Sequence, residues 1–223
     1  MTSSTAVLPV RGTRSSGPRC GICATTISPA HHHLFDASQR SLVCGCPGCH
    51  DELARHDEPA QHGRLAQHDR LARHDKSDLS GLSSVPDRYL EFPAEVLTQE
   101  TWDDLRVPAG LAFLTRSGTG LVVSGPAPTG ATEEQLPPPI WDRLLNRHPV
   151  FATLRPDVEA LFLRRAGCFL IPVDACYDLA ALLRTSWRGF TSTPEATGSL
   201  AMFMARLRAR CQPAAPGAES FSW

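Results

Sequence analysis

Lysine is almost missing from this chain: Lys76 stands alone among 22 basic residues. That arginine bias, with abundant Ala, Pro and Gly, marks a GC-rich genome and carries little chemistry. An excess of one charge is missing too. The formal net charge is -1, so no basic surplus exists to hold a phosphate backbone, and nucleic acid is excluded as the expected partner. Long apolar runs are absent. The best, residues 110–114 and 120–123, fall far below the ~20 residues that cross a bilayer, so no membrane span is expected. No secretory segment is recognisable, which sets the expectation of a cytoplasmic, reducing location where structural disulfides are rare. The catalytic signatures are lacking as well. Residues 125–139, GPAPTGATEEQLPPP, have no Gly-Lys-Ser/Thr ending of a phosphate loop, and the chain holds no nucleophile elbow, zinc-protease helix or dinucleotide fingerprint. No acid, base and nucleophile converge in the sequence, so the expectation is a protein that is not an enzyme.

What the chain does have is cysteine in a pattern. Five of its eight cysteines lie in CGICATTISPAHHHLFDASQRSLVCGCPGCH, residues 20–50. Cys20/Cys23 and Cys46/Cys49 each enclose two residues, a spacing that lets both sulfurs of a pair reach one ion from a tight turn. The intervening HHLFDASQRSLVC reads as two short strands around a turn at Ala37-Ser38-Gln39-Arg40, which would bring the pairs face to face. Pro47-Gly48 is read as the bend of the second turn. Zinc on four thiolates is the expected cofactor; a single iron, as in rubredoxin-like sites, or an iron–sulfur cluster is the alternative. Cys44, two residues before Cys46, is read as a ligand in place of Cys46, an extra ligand or a bystander. His31 and His33 share a strand face, and His32 takes the other. They are read first as a polar strand edge, with a ligand in place of a thiol or a shell around the metal as the alternatives. His50 is a ligand candidate hampered by its place directly after Cys49.

The rest of the chain divides by composition. Residues 1–19 have almost nothing to bury and read as a disordered tail. Residues 20–51 are the metal-binding knuckle. Residues 52–83 are expected to be a solvated linker, because 52–75 repeat as ELARHD, EPAQHG, RLAQHD and RLARHD. A six-residue step winds His56, His62, His68 and His74 around a helix rather than along one face, so no shared site is expected there. Residues 84–208 carry the signals of a packed α+β domain: strands at 89–92, 110–115, 119–124, 157–165 and 168–173, and helices at 99–105, 140–146, 174–187 and 194–208. Thr98 is the expected N-cap of the first of these helices and Asp174 that of the third, with Pro108 and Gly189 as stops. Trp187-Arg188-Gly189 is read as a helix end whose Trp closes the core and whose Arg satisfies helix carbonyls, with an aromatic-plus-guanidinium surface for a partner as the alternative. Residues 125–139 read as a long loop, and 209–223 as a loose tail. Asp157 and Glu159, alternating on a strand, are read as a solvated face, with a carboxylate pair as the alternative. Cys168 and Cys176 are expected to pack as small hydrophobes. The fold class expected is α+β, an N-terminal zinc-ribbon-like knuckle followed by a small, mostly antiparallel sheet packed with helices.

The run from Cys20 through CGCPGC, with VPDR at 85–88, WDDLRVPAGLAFLTRS at 102–117, GPAPTGATE at 125–133, PDVEALFLRR at 156–165 and LIPVDACYDLAALLRTSWRG at 170–189, resembles an uncharacterised actinobacterial protein family encoded beside the structural and maturation genes of nickel–iron hydrogenases. The resemblance covers most of residues 20–208 and leaves the hexads as an insertion. It implies a role near hydrogenase assembly or electron delivery and brings no established activity. In the family pattern, cysteines match Cys20, Cys23, Cys44, Cys46 and Cys49, and histidines match His31 and His33. The resemblance therefore strengthens Cys44 and the two histidines as candidates. The function expected is a non-catalytic metal-knuckle accessory protein for assembly or stabilisation of a nickel–iron hydrogenase, with hydrogenase subunits or maturation factors as protein partners. The alternatives are an electron carrier serving the same enzyme, and an enzyme with a pocket at the 125–139 loop.

Overall fold

The computed structural model describes residues 17–57, 79, 81–106, 110–118, 120–127, 130–186 and 194–214. The hexads beyond Asp57, Pro108, Trp187, Arg188, Gly189 and most of both expected tails lie outside them. The protein is mixed α+β and falls into two compact units, Met1–Val85 and Pro86–Trp223.

The first unit is built on a hairpin of β1 (His32–Asp36) and β2 (Ser41–Gly45). Its turn is the expected Ala37–Arg40. The Asp36 carboxylate fastens that turn by accepting hydrogen bonds from the Ser38 amide at 2.9 Å and the Gln39 amide at 3.1 Å. Helix α1 (Pro47–Asp57) follows at once, so Pro47-Gly48 opens a helix instead of forming a bend. The proline sits where its fixed φ suits the first helical turn and its missing N–H costs nothing. Strand β3 (Leu82–Ser84) then pairs with β1, giving a three-stranded antiparallel sheet in the order β2-β1-β3. The expected linker over 52–83 is therefore corrected at both ends. Leu53 and Glu52 are buried on α1, and Leu79 and Leu82 pack against the core of this unit.

The second unit is a seven-stranded sheet in the order β10-β4-β9-β8-β5-β6-β7, with β4 (Leu90–Phe92), β5 (Leu111–Ser117), β6 (Gly120–Ala127), β7 (Gly130–Leu136), β8 (Glu159–Arg164), β9 (Gly167–Pro172) and β10 (Gln212–Pro213). All neighbours are antiparallel except β10 and β4. The strands β8 and β9 read EALFLR and GCFLIP because both of their faces are covered. Alternation sends Leu161, Leu163, Cys168 and Leu170 to one face, against Trp102 and Leu105 of α2 (Gln99–Leu105) and Ile140 and Leu144 of α3 (Pro138–Arg147). It sends Phe162, Phe169 and Ile171 to the other, against Ala175 and Leu179 of α4 (Val173–Ser186) and Met204 and Leu207 of α5 (Pro194–Arg210). Each fully buried Leu, Ile or Phe among them contributes about 1.5–3 kcal/mol. Register aligns Leu90, Leu170, Leu161, Leu114 and Val123 into one apolar row across five strands.

Three expectations fail here. Residues 125–139 are no long loop: β6 runs to Ala127 and β7 begins at Gly130, so the segment is the far end of a hairpin plus the start of α3. Residues 209–214 are no loose tail: α5 reaches Arg210, β10 joins the sheet edge and Ala214 is buried. Glu159 is no solvated carboxylate: it is fully buried, and Arg88 grips both of its oxygens at 2.8 and 2.6 Å. Asp157 is not on the strand. It lies in the preceding turn at φ 64°, and burial raises its carboxyl pKa. Cys168 is fully buried and Cys176 half-buried, both thiols pushed up by desolvation, as expected of packing residues.

Thr98 caps α2 as read from the sequence, its hydroxyl accepting from the Thr101 amide at 3.2 Å. Thr98→Ala is expected to cost about 1 kcal/mol in urea unfolding, the usual value of such a cap. A change under a few tenths would mean that the neighbouring Thr101 hydroxyl, 3.1 Å from that of Thr98, takes over the role.

Candidate metal centre

The Cys20 turn is closed by two backbone bonds, Ala24 N–H to the Cys20 carbonyl at 3.0 Å and Cys20 N–H to the Thr25 carbonyl at 2.9 Å. Ala24 takes φ 57° to complete it. The Gly21 amide donates to the Cys44 carbonyl at 2.8 Å, which ties this turn to the end of β2. Gly21 is needed there: a Cβ on it would lie 2.4 Å from Cγ1 of Val43. The second pair is presented differently. Cys46 is the residue before α1, and its sulfur accepts from the Cys49 amide at 3.4 Å, as an N-cap side chain does. A helix N-terminus favours a negative sulfur.

These elements bring together the sulfurs of Cys20, Cys23, Cys46 and Cys49, all within 4.8 Å of one another. Cys23 and Cys46 are 3.7 Å apart. A tetrahedral ion with metal–sulfur bonds of ~2.3 Å needs sulfurs about 3.8 Å apart; the Cys23–Cys46 edge has that length, and the other edges exceed it by at most about 1 Å. Cys20, Cys46 and Cys49 are buried and Cys23 is half-buried. The electrostatics fit as well. The Thr25 hydroxyl, 3.3 Å from the sulfur, holds the Cys23 thiol down at about 6. Cys49 is pushed up, first by burial and then by its neighbouring thiols, and burial raises Cys46 against the opposing effect of the Cys49 amide. Packed thiolates repel one another, and a divalent cation among them removes that conflict. Four close cysteines of this kind are able to hold a metal ion.

Cys44 and the histidines do not join this cluster. Cys44 lies opposite His33 in the β1–β2 register, and His31, His33 and Cys44 form a second group with ligand atoms within 4.8 Å of one another. Because β2 ends at Gly45, Cys44 and Cys46 do not share the continued strand face that their spacing suggests. His50 is engaged elsewhere: its Nε2 lies 3.0 Å from the Val85 carbonyl, and its ring stacks on His32 at 4.4 Å. The sequence reading missed Thr25 and Gly21. The glycine inside the Cys-x2-Cys was a visible signal, whereas the hydroxyl was not.

A small three-stranded sheet with a four-cysteine, knuckle-like cluster at the open end of its hairpin, followed by a larger, mostly antiparallel sheet flanked by helices, defines the protein as α+β with a candidate metal knuckle. The chain belongs to the family of unknown function DUF5947, whose model matches residues 19–211. No curated protein and no solved structure matches it. Among the described residues no helix is long and apolar enough to cross a membrane.

Proposed function

We propose that the protein is a non-catalytic accessory factor whose four-thiol site holds a structural zinc, and that it serves the assembly or stabilisation of a nickel–iron hydrogenase. The observation that carries the metal half is the closed sulfur cluster, four donors with one edge at 3.7 Å and three of the four cysteines buried. A site with four protein donors leaves no position for substrate, which is the arrangement of a structural rather than a catalytic zinc. The hydrogenase half rests on the resemblance set out above.

The electron-carrier reading has one observation in its favour: the Cys49 amide points at the Cys46 sulfur, and hydrogen bonds to sulfur tune iron–thiolate potentials. Anaerobic purification with metal analysis separates the two. Colourless protein carrying zinc is the expected result, and visible absorption with stoichiometric iron would overturn it. For the hydrogenase role, the expected result of deleting the gene is a hydrogenase large subunit that is unprocessed or nickel-poor. A complete enzyme, active with an artificial dye yet cut off from its physiological acceptor, would instead support the carrier.

A further inference from the structure

We propose that His31, His33 and Cys44 form a second metal site, separate from the four-thiol cluster, which holds a borderline divalent transition-metal ion and leaves one coordination position open to solvent. The backbone builds the site. His33 is the second residue of β1 and His31 stands just before the strand, where the Ser28 and Pro29 carbonyls hold its ring, and the four-residue turn sets Cys44 directly opposite His33. The two imidazole rings meet edge to face with centroids 4.9 Å apart. Two imidazole nitrogens and one sulfur thus converge within 4.8 Å.

An independent observation points to a ligand. The Nδ1 of His31 lies 3.0 Å from the Ser28 carbonyl and 3.0 Å from the Pro29 carbonyl. Carbonyls only accept, so Nδ1 carries the proton and Nε2 is left with a lone pair. That Nε2 is the one buried side-chain nitrogen or oxygen among the described residues without a hydrogen-bond partner. A buried acceptor without a partner is destabilising, and a metal ion satisfies it. Metal-ligating histidines are held in this way, with the far ring nitrogen donating to a carbonyl so that tautomer and ring direction are fixed.

The donor set selects the ion. Imidazole and thiolate together suit zinc, nickel, cobalt or copper and discriminate against magnesium and calcium. Three protein donors leave a tetrahedral ion one position short. All three residues are half-buried, unlike the mostly buried four-thiol set, so water reaches that position. An ion held there exchanges and accepts an outside ligand, as an ion locked among four thiols does not.

Cobalt(II) titration of the full chain, followed by its visible spectrum and by bound-metal analysis, tests this. The wild type is expected to take up one equivalent more than His31→Gln, and one more than Cys44→Ser. Both variants should keep the intense sulfur-to-cobalt absorption of the four-thiol site. Uptake by the hexad histidines is common to all three proteins and cancels in the difference. Azide is expected to shift the bands present only in the wild type and to leave the four-thiol bands unmoved. Equal uptake by wild type and His31→Gln would overturn the site. Loss of both equivalents from His31→Gln would overturn its separateness, and bands indifferent to azide would overturn the open position. Should Cys44→Ser fail to fold, His31→Gln alone decides, since its change touches neither pair of the four-thiol cluster.

Discussion

Replacing Cys23 and Cys49 together with serine is expected to abolish tight metal binding at the four-thiol cluster and to unfold the first unit around it. The reason lies in what else that unit has to hold it. The buried cluster of its core comprises Cys20, Ile27, Leu34, Cys46, Cys49 and Leu53, so half of it is the metal site itself. A unit this small is marginal on burial alone, and one with so few apolar core residues needs a metal or disulfides. A structural zinc contributes an apparent ~10–16 kcal/mol at neutral pH, which exceeds anything three aliphatic side chains supply. Amide hydrogen exchange is the direct measurement. Protection is expected to vanish at Leu34, Phe35 and Leu53, while Leu161 and Phe169 of the central sheet, which has its own core, keep theirs. Treating the wild type with a strong chelator should reproduce the pattern, and zinc should reverse it. Full metal occupancy in the double mutant, or unchanged protection at Leu34, would sink the assignment. Because Cys23 and Cys49 come from different elements, a turn and a helix, no single-pair site would survive their joint loss.

Much of this site was legible because it is local. The two Cys-x2-Cys pairs, the hairpin between them and its four-residue turn follow from spacing and alternation within thirty residues. The same register places Cys44 opposite His33, so the division of the candidate ligands into two groups was already implied by the position of the turn. It was hidden by the assumption that the strand runs on through Cys46. The start of α1 was misread for a chemical reason. Proline and glycine after Cys46 look like a bend, and a sulfur is not among the usual N-cap side chains, yet here it accepts the capping amide. In the larger unit, β8, β9 and α2 were legible from continuous apolar runs and a capping threonine. The β6–β7 hairpin was not, since Gly125, Pro126 and Gly130 imitate a loop. Gly125 and Pro126 are tolerated because β6 there runs past its pairing with β5, which ends at Ser124, and Gly130 because β7 is an edge strand. Strand β10 could not be read at all: its two residues gain their character only from parallel pairing with β4, more than a hundred positions away.

The same non-locality explains Glu159 and sets the second large expectation. Its partner Arg88 lies 71 residues earlier, and alternation alone put the carboxylate on a solvated face. In the structure the carboxylate is fully buried, bound at both oxygens by the guanidinium and at Oε2 also by the Arg155 amide at 2.9 Å. Arg88 reaches on to the Thr153 carbonyl at 2.6 Å. Arg88→Ala is therefore expected to destabilise the second unit by about 3–5 kcal/mol, because it leaves a charge buried without a counter-charge. The lower end is favoured, since the arginine side chain is 31% exposed and water enters in its place. Glu159→Gln keeps the shape and an acceptor for the Arg155 amide, so its cost should be smaller, about 1–3 kcal/mol. Combining Arg88→Met with Glu159→Leu removes both charges, and most of the Arg88→Ala loss should be recovered, less what the Arg155 amide and the Thr153 carbonyl lose. Urea unfolding of Arg88→Met, Glu159→Leu and their double variant, read from tryptophan emission, measures the coupling. Purely additive losses would show that the pair is two independent surface-like contacts. The result also bears on catalysis. Glu159 is fully buried, with three of its roughly four lone-pair sites taken by Arg88 and the Arg155 amide, and Asp157 sits off the strand, so the two do not form the carboxylate pair that an enzyme built on residues 157–159 would require.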